Sequence, residues 1–358
     1  MSHLTTGQTI GGYHLIGAHK DEGQAPKVLI LDTNVLIDIK NFYFHGPPRK
    51  YEGLKTLLQT FPMSGPQSVD INYGWAAAEA TWRRGGTPDL ARRREFVYAA
   101  STVVNWSPDE VEKRFAHKRP PIDRDKRWLK QPIADKDEVP DSRIMLAPHY
   151  GSILYLMHLF NTRRQEIKQN PINVFRDYYE WTSNHLGIRD SYSTSFALAL
   201  ICGDGEEKNK VNGILKLSGD ESGESLAAKC WNVSWDMLML SLSEGNTYGL
   251  ADGFRSKPTC LVTRDSDPSS LRGNSELRMM IDSGSDKIPF SMLSYTTNRK
   301  IDTAEIEEIL RFDIADFLTR YHRDANTLKD QAYAAIFELE TQMGITRKFS
   351  EEASILSD

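Results

Sequence analysis

Acidic side chains interrupt or follow apolar segments at four widely separated places in the chain. Asp32 ends the apolar run "KVLIL", and Asp265 and Asp267 follow "TCLVT". Glu79 lies in the Ala-rich stretch "WAAAEATW", and Asp236 lies in "SWDMLML". A carboxylate among apolar residues is costly unless something pairs with it, so each of these acids needs a partner.

The two acidic strand ends are expected to meet at one edge of a sheet. Continuous apolar runs such as "KVLIL" are typical of buried parallel strands, and parallel sheets bind ligands beyond the carboxyl ends of their strands. Several carboxylates gathered there repel one another unless a cation lies between them. Hard divalent cations such as Mg²⁺ take oxygen ligands, activate water and stabilise the leaving oxygen of a phosphodiester. The pattern therefore predicts a divalent-metal site for phosphoryl chemistry.

The ordered set of motifs resembles the PIN-domain nucleases. "LILDTNVLIDI" is similar to that family's opening strand with its Asp-Thr-Asn, and "CLVTRD" is similar to its strand ending in Thr-x-Asp. The resemblance implies a three-layer α/β/α sandwich around a central parallel sheet, Mg²⁺ or Mn²⁺ as cofactor, and hydrolysis of RNA in preference to single-stranded DNA. Carried over residue by residue, the family's acids and supporting polar residues fall on Asp32, Glu79, Asp236, Asp265, Asn34 and Thr263.

Each acid has an expected role in this resemblance. Asp32, Asp236 and Asp265 would hold one or two metal ions, directly or through water, with Asp267 as a further ligand candidate. Glu79 would help to hold the metal or orient the attacking water. The metal would lower the pKa of that water and offset charge on the phosphate.

Alternatives to Glu79 remain open, because the stretch between it and the next family acid is much longer than in a minimal member of the family. Glu95 and Glu110 compete for the role of second acid. Asp38 is interpreted as a polar position on the first helix rather than as a ligand.

Positive charge clusters in the middle of the chain. "TWRRGG" supplies Arg83 and Arg84, and "KRPPIDRDKRWLK" supplies Arg119, Arg127 and Trp128. Cationic side chains neutralise phosphates, and aromatic rings stack on unpaired bases. These five residues are the predicted substrate-binding set. A solvated, charge-rich surface is the competing interpretation, since acids are interspersed among them.

Two other functions compete with a nuclease. Phosphatases of the haloacid-dehalogenase type also open with a buried strand ending in Asp, but they need a second Asp two residues later as general acid. Asn34 stands at that position and weakens this alternative. A PIN-like scaffold that binds RNA or protein without cutting is the non-enzymatic alternative.

Strand–helix alternation at both ends of the chain favours a parallel sheet with helices on its faces. The helices outside that core are expected to serve substrate selection, regulation or oligomerisation, with a second copy or a regulatory protein as partner. The polar stretch "EEKNKVNGILKLSGDESGES" is interpreted as a loop with a short element inside it. The expected segments are a tail (1–26), a first core half (27–104), a helix-rich insertion (105–225), a second core half (226–300), C-terminal helices (301–346) and a second tail (347–358).

Global composition is ordinary for a globular protein, with 39% hydrophobic and 26% charged residues and a net charge of -5. That mild net charge does not indicate nucleic-acid binding, so local clusters of positive charge would have to form any such site. Three cysteines without CxxC spacing fit a reducing compartment rather than a disulfide framework. The sequence lacks a signal-peptide pattern and any apolar run near the roughly 20 residues of a membrane span. A cytoplasmic protein without a membrane partner is expected.

Overall fold

The computed structural model describes most of the chain. The described residues are 4–18, 21–46, 52–61, 68–82, 84, 88–117, 142–187, 190–216, 223–248, 257–282, 287–293, 295–298, 301–311 and 324–349. The strands in these ranges are β1 (Thr9–Ile10), β2 (Tyr13–Gly17), β3 (Val28–Leu31), β4 (Asp70–Asn72), β5 (Thr259–Thr263), β6 (Ser275–Asp282) and β7 (Lys287–Leu293).

Helices make up most of the described structure. The first six are α1 (Thr33–His45), α2 (Glu52–Thr60), α3 (Gly74–Thr81), α4 (Leu90–Val103), α5 (Pro108–Ala116) and α6 (Ser142–Thr162). The others are α7 (Arg164–Gln169), α8 (Pro171–Trp181), a π-helical turn (Thr182–Leu186), α9 (Ser191–Cys202), α10 (Gly205–Leu215), α11 (Gly223–Tyr248), α12 (Asp267–Asn274), α13 (Thr303–Ile309) and α14 (Ala325–Gln342).

Five strands form a mixed sheet in the order β1-β2-β5-β3-β4. Strand β3 lies between β5 and β4 and is parallel to both, with Leu29 opposite Cys260 and Ile71. Strand β2 runs antiparallel to β5, with Leu15 opposite Val262. The strands predicted at "KVLIL" and "TCLVT" are therefore neighbours, and Asp32 and Asp265 follow strands that end at the same edge.

The first strands belong to a segment that was predicted to be a tail. The sequence "TIGGYHLIG" forms the β1–β2 hairpin, with Gly11 and Gly12 at φ 57° and 85°. Two-residue hairpin turns of type I′ need positive φ at both central residues, which Gly-Gly supplies without steric cost. The tail assignment for residues 1–26 is wrong over this hairpin, because β2 adds an antiparallel edge to the sheet.

The prediction of a three-layer α/β/α sandwich around a central parallel sheet is also wrong. The fold is largely helical and its sheet is small and mixed. Apolar residues of α6, α8, α9, α11 and α14 pack together in one core, which contains the fully buried Trp235, Tyr150 and Phe196. A second core joins the sheet to α1, α2, α4 and α5 around Phe42, Leu57 and Leu29. The helices therefore form a large body of their own, which contacts the sheet through Ile16, Ile30 and Leu261, and the small sheet is not the centre of the fold.

Helix α10 lies where a loop was predicted. Asp204 caps its start by accepting hydrogen bonds from the backbone N–H groups of Glu206 and Glu207, at 2.9 and 3.0 Å. Val211 and Leu215, four residues apart, are buried on its inner face. A loop was predicted because the stretch is mostly polar. Those polar residues lie on the outer face of the helix, and they do not reveal that its inner face is apolar.

Within the described ranges, no helix combines the length and apolar character that crossing a lipid bilayer requires.

Candidate metal-binding cleft

A cleft of about 300 Å³ lies beyond the carboxyl ends of β3 and β5. Helices α1, α3, α10 and α11 supply its walls. It brings together all five predicted metal-binding acids, although they are spread from residue 32 to residue 267 of the sequence. The lining residues used below are Asp32, Thr33, Asn34, Glu79, Lys216, Lys229, Asn232, Asp236, Asp265 and Asp267.

Asp32 links the sheet to the first helix. Its backbone N–H donates to the carbonyl of Val262 on β5 at 2.9 Å, which fixes the end of β3. One carboxylate oxygen accepts the N–H of Thr33 at 2.6 Å and so caps α1. The other oxygen accepts the hydroxyl of Thr263 at 2.5 Å. The apolar strand thus ends in an acid that is also a helix cap, which accounts for its position in the sequence.

Asn34 bridges two of the acids. Its Nδ2 lies 2.6 Å from Asp32 Oδ2 and 3.0 Å from Asp265 Oδ2. Its Oδ1 accepts the backbone N–H of Arg264 at 3.0 Å. The predicted supporting residues Asn34 and Thr263 therefore both donate to Asp32 and hold the end of β5 beside α1.

Burial raises the pKa of Asp32 from 3.8 to about 6. Hydrogen bonds from Thr263, Thr33 and Asn34 act in the opposite direction, and the nearby charge of Asp265 raises the pKa further. The donors around Asp32 therefore compensate only part of the cost of ionising it.

Glu79 enters the cleft from α3. Its Oε2 accepts the hydroxyl of Thr33 at 2.6 Å, which connects α3 to the start of α1. Burial, and then the charge of Asp32, raise the pKa of Glu79 from 4.5 to about 8. A carboxyl group in this environment holds its proton at neutral pH until a cation replaces it.

Asp236 has the least compensated carboxylate of the set. Burial raises its pKa well above 3.8, and the charges of Asp32, Glu79, Asp265 and Asp267 raise it further. Among the described residues, no hydrogen-bond donor reaches this carboxylate. A half-buried acid that faces four other acids is costly in the absence of a positive charge between them.

The donor set of the cleft fits a hard divalent cation. All five acids offer oxygen, the ligand that Mg²⁺ and Mn²⁺ prefer. Among the described residues, no three acidic, His or Cys side chains stand close enough together to hold one ion directly. Mg²⁺ keeps several of its waters and is usually bound through one or two carboxylates, so this spacing suits an ion held partly through water.

The alternatives to Glu79 lie elsewhere. Glu95 on α4 pairs with Lys40 at 3.2 Å, and Glu110 on α5 pairs with Arg114 at 2.6 Å. Asp38 is buried and accepts the Tyr13 hydroxyl at 2.8 Å. None of these three acids is among the residues that line the cleft.

Of the five predicted substrate-binding residues, Arg84 is the one that the structure describes. Arg83, Arg119, Arg127 and Trp128 lie outside the described residues. Arg84 is described, and its guanidinium binds the carboxylates of Glu224 and Glu340, with Glu340 at 3.2 Å. These contacts make Arg84 an ion-pair residue of the structure, and it is not among the residues that line the cleft.

Sequence reasoning missed four polar residues of the cleft. Thr33 follows the first acid directly, and its hydroxyl holds Glu79. Lys229 and Asn232 precede Asp236 by seven and four residues on α11, so they share its face of the helix. The helical spacing to Asp236 could therefore have identified Lys229 and Asn232 as cleft residues. Lys216 had no comparable signal, because "EEKNKVNGILK" was interpreted as a loop.

Comparisons with protein-family models, with curated proteins and with solved structures found no match to the chain. Its chemistry therefore has to be argued from the cleft.

Proposed function

We propose that the protein is a divalent-metal-dependent nuclease that hydrolyses phosphodiester bonds, acting on RNA in preference to single-stranded DNA. The observation that carries this proposal is the carboxylate of Asp236. It faces Asp32, Glu79, Asp265 and Asp267, and no donor among the described residues reaches it. The preference for RNA rests on the likeness of "LILDTNVLIDI" and "CLVTRD" to the PIN-domain nucleases.

Asp236 and Asp265, with Asp32 and Asp267, would hold Mg²⁺ or Mn²⁺ directly or through water. A bound divalent ion supplies an acidified water and offsets negative charge on the phosphate. Asn34 keeps Asp32 and Asp265 in place through its two short contacts. Glu79 accepts the Thr33 hydroxyl at Oε2, which leaves Oε1 to orient the attacking water and accept its proton.

The local contacts favour this chemistry over a phosphatase that uses a nucleophilic Asp. Both carboxylate oxygens of Asp32 already accept hydrogen bonds, from Thr33 N–H and from the side chains of Thr263 and Asn34. A nucleophile needs an oxygen directed at phosphorus. Asn34 also cannot act as a general acid, since its amide carries no titratable proton.

The test is cleavage of end-labelled RNA and single-stranded DNA of the same sequence by the full chain, with Mg²⁺, Mn²⁺ or a chelator. We expect metal-dependent internal cleavage, faster on RNA, and loss of at least 100-fold in rate for Asp236→Asn. The matched control is Asp330→Asn, because Asp330 is an exposed acid on α14 outside the cleft. Calorimetry with Mn²⁺ gives a second readout.

An Asp236→Asn variant that folds and cleaves at the wild-type rate would show that the assignment is wrong. Mn²⁺ binding without cleavage of either strand would favour the non-catalytic scaffold. Absence of both binding and cleavage would remove the metal site as well.

A further inference from the structure

Two lysines line the cleft together with the acids. Lys216 lies at the end of α10 and Lys229 in the second turn of the long helix α11. Both line the same space as Asp236 and Asp267. A cleft built only to hold a cation has no use for ammonium groups, since they compete with the ion for the carboxylates.

The backbone of Lys216 is held in an uncommon conformation. At φ 49° and ψ 44° it is left-handed, and it is the only described residue other than glycine with a positive φ. This conformation costs a non-glycine residue about 1 kcal/mol, and glycine is the residue that usually adopts it at a helix end. Strained backbone of this kind clusters at active sites and at segments that clamp ligands.

Lys229 fixes the position of Lys216. Its ammonium group donates a hydrogen bond to the carbonyl oxygen of Lys216, one of the acceptors that the end of α10 leaves without a helical partner. The two ammonium groups therefore belong to one unit at the junction of α10 and α11. Among the described residues, the Lys216 ammonium forms no ion pair.

Helix α11 carries the two kinds of charge at opposite ends of one stripe. Lys229, Asn232 and Asp236 are separated by three and four residues, so they lie along one face. Seven residues of helix place Lys229 about 10 Å from Asp236 along the axis. A phosphodiester strand lying along this face would meet the metal-binding acids at one phosphate and the lysines at a neighbouring one.

We propose that Lys216 and Lys229 form a phosphate grip for single-stranded nucleic acid, which binds a phosphodiester group next to the one that is cut. This inference rests on the proposed nuclease function for the location of the cut. The amide of Asn232, exposed between the lysines and Asp236, adds a neutral hydrogen-bonding group along the path of the strand.

The test compares Lys216→Gln, Lys229→Gln and the double variant with Lys168→Gln, which removes the same charge from an exposed position on α7 outside the cleft. Fluorescence anisotropy of labelled 12-nucleotide RNA and DNA strands is measured in Mg²⁺ over a range of salt concentrations. The proteins used for these binding measurements also carry Asp236→Asn, so that the strands are not cleaved. Cleavage KM and kcat are measured separately in chains that retain Asp236.

Each cleft substitution is expected to weaken binding roughly fivefold and to flatten the slope of log K against log salt by about 0.7. KM should rise with little change in kcat, while Lys168→Gln leaves both unchanged. Lys216→Arg and Lys229→Arg keep the charge and should bind as wild type does. Equal effects on RNA and DNA identify the shared phosphate as the group recognised.

The outcomes separate the two proposals. If wild type cleaves and the cleft variants match Lys168→Gln in slope and KM, the grip is refuted and the nuclease stands. If wild type binds strands through the lysines without cleaving, the grip stands and the nuclease is refuted. If the chain neither binds nor cleaves, both are refuted.

Discussion

Replacing Glu79 with Gln should stabilise the metal-free protein at neutral pH. The carboxyl group of Glu79 holds its proton up to a pKa of about 8 in the folded chain, against 4.5 in its ordinary state. Between those values the folded protein binds more protons than the unfolded one, so wild-type stability falls as pH rises. Gln has no proton to lose and lacks this dependence. Its amide oxygen can still accept the Thr33 hydroxyl.

The size of the effect is the stability that wild type loses between pH 4.5, the ordinary pKa of the carboxyl group, and pH 7. That interval is 2.5 pH units and corresponds to about 3 kcal/mol at about 1.36 kcal/mol per unit. This value is a ceiling, because Glu79 is only half-buried and lines an open cleft where water screens its charge. We expect about 1–2 kcal/mol after that discount, which raises the melting temperature by a few degrees. The gain should vanish below pH 4.5 and level off above pH 8.

The assay is thermal unfolding followed by circular dichroism in chelator at pH 4.5, 7 and 8.5. Glu95→Gln is the matched control, because it makes the same chemical change in a half-buried ion pair with Lys40 outside the cleft. That variant should lose between 0 and about 1 kcal/mol with no rise at pH 7. With Mn²⁺ the order of Glu79→Gln and wild type should reverse, since wild type binds the ion more tightly; a hundredfold excess over Kd adds about 2.7 kcal/mol.

Two results would refute this reasoning. One is a Glu79→Gln variant that is less stable than wild type at pH 7 without metal. The other is a stability difference that stays the same from pH 4.5 to 8.5, because the argument depends on a proton held only in the folded state.

Two further predictions concern residues that support the cleft. Asn34→Ala should weaken Mn²⁺ binding, measured by calorimetry, about 10–100-fold, because it removes the bridge between Asp32 and Asp265; an unchanged Kd would contradict that role. Arg84→Ala should lower the free energy of unfolding by about 3–5 kcal/mol, because it leaves the fully buried Glu340 without its cation. Adding Glu340→Gln should recover part of that loss in urea unfolding, and the salt dependence of strand binding should not change in either variant.

The residues that determine the cleft could be found in the sequence because each interrupts an apolar pattern. Asp32 and Asp265 end buried strands, and those strands pair in parallel as the apolar runs predicted. Asp236 is the one charged residue in an apolar stretch of α11. A carboxylate among apolar residues is costly unless something pairs with it, so the meeting of these acids at one site was predictable.

The overall architecture could not be predicted in the same way. The three parallel strands are consistent with a sandwich. Strand β2, however, comes from the segment that was predicted to be a tail, and it pairs antiparallel with β5. The sequence predicted that residues 105–225 are rich in helices, but not whether those helices would cover a sheet or one another. That choice depends on long-range packing, and here they form a helical core with α11. Arg84 shows the same limit, because its partners are 140 and 256 residues away in the chain.

The ion-pair network at Arg84 also constrains when the cleft can be completed during synthesis. Glu224, near the start of α11, accepts the backbone N–H groups of Thr346 and Arg347, and Glu340 accepts that of Phe349. The helix that carries Asp236 is therefore anchored by residues made more than 100 positions later. Translation proceeds at roughly 5–20 residues per second, so this anchor forms several seconds after α11 leaves the ribosome. If the proposed RNA cleavage takes place in this cleft, this order delays its assembly while the ribosome and its message are closest.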